Sequence, residues 1–139
     1  MAGTLQRLPV FAAALWWGSL TTIGFLVVPL LFMHLPTPAL AGGMAAKLFT
    51  AQTWVSVACG GILLLISTSK QASAPAQRAH DAIIFILLGL LLALLVEFAV
   101  APRIVTRTNL KLWHSVGSVM YLVQWLCAAI VFWRITPKH

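Results

Sequence analysis

Residues 82–102 read AIIFILLGLLLALLVEFAVAP, and this run decides the fold. Glu97 is its only charged side chain. A membrane-spanning helix needs ~20 predominantly apolar residues, and three further runs of that length share the chain. Leu8 to Ala46, Leu48 to Ser69 and Leu112 to Trp133 contain no Asp, Glu, Lys or Arg. The sequence therefore predicts an all-α membrane protein, a four-transmembrane-helix bundle with spans at about 9–32, 49–68, 82–102 and 112–133.

Composition leads to the same class. The chain has 139 residues, 61% of them hydrophobic and 8% charged, with a mean hydropathy of +0.99. Residues 1–139 are expected to form a single integral membrane domain. In a soluble protein a formal charge of +7 would suggest nucleic acid, but here Lys and Arg stand singly at span ends, where they reach toward lipid headgroups. The expected partner is the bilayer, with no nucleic acid. Cys59 and Cys127 both fall inside spans, which excludes a secreted disulfide framework and makes them packing residues. Arg7 before an apolar run and the small-x-small Ala39-Leu40-Ala41 have the form of a signal peptide. The run from Leu8 to Met33, however, far exceeds the ~7–15 residues of a signal core and suits a permanent span.

The chain contains an internal echo. Phe25-Leu26-Val27-Val28-Pro29 recurs as Phe98-Ala99-Val100-Ala101-Pro102, and Lys47-Leu48-Phe49 recurs as Lys111-Leu112-Trp113. Two repeated helical hairpins are implied, the first with a looser connector rich in Pro36, Pro38, Gly42 and Gly43. Both termini then share one side. Arg7, Lys70, Arg78, Arg134 and Lys138 on that side face Lys47, Arg103, Arg107 and Lys111 on the other, a balance that leans toward cytoplasmic termini. Small residues at four-residue spacing, Ala14, Gly18 and Thr22 on the first span and Ser56 and Gly60 on the second, predict faces of close backbone approach. Trp16, Trp17, Trp54, Trp113 and Trp133 are expected toward span ends as an interfacial belt, with Trp125 deeper.

An ionised carboxylate inside a span costs several kcal/mol unless paired, hydrated or protonated. Glu97 therefore needs a partner. At about 1.5 Å per residue, Glu97 lies about 7.5 Å inside Pro102 and His114 about 4.5 Å inside Lys111, so a Glu97–His114 pair rimmed by Lys111, Lys47 or Arg103 is the expected ligand or proton site. A polar clamp between the third and fourth helices fits the same residues. His114, Ser118, Tyr121 and Trp125 form one stripe on the fourth helix, with Gln124 turned away from it; Thr50 and Gln52 begin the second helix at the level of His114. Met33, His34 and Met44 offer thioether and imidazole ligands suited to Cu(I), without metal-specific spacing. Haem b with two histidine ligands would need a second intramembrane His beside His114. No nucleophile elbow, phosphate loop, Walker motif or HExxH occurs, so no enzyme is expected.

Leu15-Trp16-Trp17-Gly18, Phe25 to Pro29, Leu31-Phe32, Leu35-Pro36, Ala41-Gly42, Lys47-Leu48-Phe49, Pro102 and Trp113-His114-Ser115 together resemble the bacterial branch of the transmembrane protein 205-like family, also called domain of unknown function 4149. The resemblance covers nearly the whole chain. It implies a four-span membrane protein without an established biochemical activity, in the bacterial inner (cytoplasmic) membrane; eukaryotic members are linked to resistance to platinum drugs. His114 occupies the family's His-Ser position. A looser likeness joins the chain to the membrane region of copper-resistance D proteins, whose metal ligands have no clear counterparts here. Two function classes follow: binding or assisted transport of a small ligand or metal ion at the Glu97–His114 site, or a structural subunit, as a homo-oligomer or within a larger membrane complex.

Overall fold

The computed structural model describes residues 2–69 and 74–137, all helix and turn, with no strand among them. The order is α1 (Ala2–Thr22), a π-helical turn (Ile23–Val27), α2 (Val28–His34), α3 (Pro38–Ser67), α4 (Ala74–Asp81), α5 (Ile83–Leu95), a second π-helical turn (Val96–Val100), α6 (Ala101–Val105) and α7 (Leu110–Ile135). Four continuous spans result: Gln6–His34, Pro38–Ser67, Ile83–Val105 and Leu110–Ile135. Lys70 and Lys138, both used in the charge balance, lie outside the described residues.

The second span starts about ten residues earlier than the sequence suggested, because the supposedly loose connector is helical. Thr37 caps the helix, its hydroxyl accepting from the Leu40 amide at 3.3 Å. Pro38 takes the first helical position, where its missing N–H costs nothing. Gly42 and Gly43 then continue the helix, which membrane helices tolerate better than soluble ones. Only Leu35–Thr37 joins the first two spans. The second hairpin turns at Thr106–Asn109, where Arg107 and Asn109 adopt positive φ, 55° and 47°.

The spans pack in a ring: the first against the second and fourth, the third against the second and fourth. Trp16 closes the centre. It is fully buried, and its ring lies across the bundle axis where a Cβ on Gly89 would collide with it. The belt expectation fails for Trp16 because the first span begins at Gln6, which places the indole about 15 Å inside it. Trp17 stacks on Phe132 with centroids 5.7 Å apart. Trp54 and Trp133 are exposed, as a belt requires. The expected small-residue faces divide similarly: Gly60 packs tightly under Leu90, whereas Gly18 meets nothing within 4 Å. Cys59 and Cys127 are buried free thiols.

At the end of the bundle that holds both termini, α4 packs on α1, α3 and α7 through its buried Ala76 and Ala79. Arg134 fastens it there, donating to the Asp81 carbonyl at 3.0 Å and lying over the Phe85 ring.

Candidate functional site

The two π turns are the structural form of the sequence echo. Ile23–Val27 and Val96–Val100 stand 73 positions apart, as do Pro29 and Pro102. In the first, the Val28 amide reaches back to the Ile23 carbonyl; in the second, the Ala101 amide reaches the Val96 carbonyl. Proline follows at once in each case and supplies no N–H. The carbonyls of Gly24 and Glu97 are therefore left without a backbone donor, since the i+4 amide is spent one residue back and the i+5 residue is proline. Such bulges recur at functional positions in helices.

The two turns carry different side chains. At Gly24 the absence of a Cβ admits the Tyr121 ring from α7. The phenol donates to the Leu20 carbonyl at 2.7 Å. Tyr121 thus adds a side-chain donor to a ladder carbonyl of the first span, one turn before the π turn. Beside it, Trp125 Nε1 donates to Thr21 Oγ1 at 2.8 Å, and Phe25 sets its ring edge-on to Trp125 at 5.4 Å.

The third span bears Glu97 at the matching position. Thr50, on α3, donates to its carboxylate, with Oγ1 2.9 Å from one oxygen and 3.1 Å from the other. Among the described residues no other hydrogen bond and no ion pair reaches that carboxylate. Glu97 is half-buried. One neutral hydroxyl therefore faces a group with four lone-pair sites.

His114 is exposed on α7, and its carbonyl accepts from Ser118, also exposed, at 2.8 Å. The direct Glu97–His114 bond expected from depth is not made among the described residues. Equal depth fixes a level and leaves azimuth open, and α3 turns Thr50 toward Glu97. The stripe on α7 accordingly splits, with Tyr121 and Trp125 engaged with the first span and His114 and Ser118 outside. Arg103 donates to the Ala99 carbonyl and lies 4.7 Å over the Trp113 ring, while Lys47 and Lys111 are exposed. Met33, His34 and Met44 are exposed at the first connector, where His34 Nδ1 donates to the Leu30 carbonyl at 3.0 Å. No hydrogen bond joins these three among the described residues.

Sequence reasoning gave little weight to a second polar cluster at the bundle centre. Gln52, 2% exposed, donates to Ser19 at 2.9 Å and Ser56 at 3.4 Å, and Gln124 donates to Ser56 at 3.0 Å. Both serine protons are committed, to the Trp16 and Gln52 carbonyls. The Gln52 amide can then present only its N–H groups to them, which leaves its buried carbonyl oxygen unpartnered. The i, i+4 spacing of Gln52 and Ser56 was the available signal.

Four apolar spans enclosing these polar groups define an integral, multi-pass membrane protein. The profile of a family described as domain of unknown function (DUF4149) matches residues 11–112, and the chain belongs to that family. The match takes in Gly24, Thr50, Glu97 and both prolines, and stops two residues short of His114. No curated protein and no solved structure matches the chain.

Proposed function

We propose that the protein binds a small ligand or metal ion, or helps it across the bilayer, at the oxygen site of Glu97 and Thr50, without acting as an enzyme. One observation carries the reading: the only acid inside a span is met by a neutral hydroxyl and by no described cation. An uncompensated carboxylate at that depth costs several kcal/mol, and a bound cation removes the cost as a proton or water would. Lys47, Arg103 and Lys111 stand toward the same end of the bundle, and none is paired with Glu97 among the described residues. With termini in the cytoplasm of a bacterial cell, this site opens toward the far face of the inner membrane; cysteine labelling at Gly3 and Thr136 tests that sidedness.

Glu97→Gln tests the function, because it keeps the shape and a hydrogen bond to Thr50 and removes the charge. The expected result is an unfolding midpoint in detergent equal to or above that of the unsubstituted protein, with loss of any co-purifying cation or small ligand in native mass spectrometry. A large fall in the midpoint with unchanged bound species would make Glu97–Thr50 a structural clamp and reject the site. The half-burial of Glu97, beside Phe98 at 65% exposure, favours a second reading as a subunit whose partner covers this surface. Native mass spectrometry separates the two by reporting a lone chain or an oligomer.

A further inference from the structure

We infer that the Glu97 site is built for a hard monovalent cation of the sodium and potassium class; this deepens the reading above and rests on it. Three kinds of oxygen are found at Glu97 and its partner. The carboxylate of Glu97 supplies charge, and the Thr50 hydroxyl, whose proton goes to that carboxylate, still has its acceptor lone pairs. The third is the main-chain carbonyl of Glu97 itself. It has no backbone donor, because the Ala101 amide is bonded to Val96 and Pro102 has no N–H. Interrupted membrane helices use such freed carbonyls to coordinate sodium ions or protons.

Donor chemistry and charge select within the cations. An all-oxygen set suits hard ions, whereas Cu(I) prefers thiolate, thioether or imidazole. A single carboxylate balances a single positive charge, and a divalent ion would leave one charge uncompensated in hydrocarbon. The charged and titratable groups at this end are Lys47, Arg103, Arg107, Lys111, His34 and His114, and none makes an ion pair with Glu97 among the described residues. The first span provides an internal control. Its π turn frees the Gly24 carbonyl in the same way, but no carboxylate stands there and Tyr121 fills the space.

The test is thermal unfolding of the purified protein in detergent at pH 8, titrated with NaCl or KCl against choline chloride at constant ionic strength. Saturable stabilisation by an alkali cation is expected, and its absence overturns the inference. Glu97→Gln should abolish the response; persistence there also overturns it. Pro102→Ala guards against a merely structural effect, since it restores an N–H to the helix. It should raise or leave unchanged the midpoint in choline while weakening the apparent alkali affinity roughly tenfold, and unchanged affinity rejects the carbonyl as a ligand. If Ca²⁺ or Cu(I) alone gives a saturable response that Glu97→Gln removes, the alkali assignment falls and the binding reading stands. If no cation acts and both proteins co-purify the same species, both fall.

Discussion

The seam between the second and third spans and the seam between the first and fourth are built on the same backbone device and filled in opposite ways. Each has a π turn followed by proline at the same position of the repeat. Around Glu97 the turn carries a long acidic side chain that reaches across the seam to Thr50, and the contact is polar and half-buried. Around Gly24 it carries no side chain, and the opposite helix reaches in with Tyr121. The difference teaches that a distorted helix turn is not in itself a site. The space at the distorted turn is filled by a neighbour's ring in one seam, and in the other the turn carries a charge beside the freed carbonyl.

The Gly24 seam is the more brittle, and Gly24→Val should give the largest effect. Its Cβ would collide with the Tyr121 ring, and overpacking of this kind costs about 1–3 kcal/mol. A clear drop in unfolding midpoint is expected, and a variant as stable as the parent would show the first seam to be loosely packed. Tyr121→Phe is milder. It leaves the ring and removes the hydroxyl bonded to the Leu20 carbonyl, for a loss of about 1 kcal/mol with no effect on cation response. The smallest change is Thr50→Val, at about 0.6 kcal/mol, near the mean for hydrogen bonds between membrane helices. Its signature should appear in ligand response far more than in the melt. If the melt falls as much as for Tyr121→Phe while ligand response stays constant, the two seams are equivalent and both are structural.

The spans were legible because lipid leaves so little choice: charge-free runs of the right length fold one way. The echo of Phe25–Pro29 in Phe98–Pro102 located the distorted turns, although nothing in those residues specifies i→i+5 bonding. Three features escaped for separate physical reasons. Pro38, Gly42 and Gly43 read as breakers by propensities measured in water, yet one sits at a helix start and two are carried by an ordered span. Residue counting gives the common depth of Glu97 and His114 and cannot give azimuth, so Thr50 as the hydrogen-bond partner of Glu97 was not legible. Gln52, Ser19, Ser56 and Gln124 belong to three different helices, and their convergence depends on the rotation of each, which a nearly uniform apolar pattern does not encode.

The meeting of Trp16 and Gly89 has a mechanical consequence. An indole seated in a notch on the opposing helix blocks sliding of one hairpin along the other, because any axial shift drives the ring into the side chains above or below Gly89. Rocking about that point is the relative motion that such a contact opposes least. From Gly89 to Glu97 is about 12 Å along the helix, so each 10° of rocking would displace the carboxylate by roughly 2 Å relative to the other hairpin. That is enough to make or break its contact with Thr50, while the fulcrum itself hardly moves.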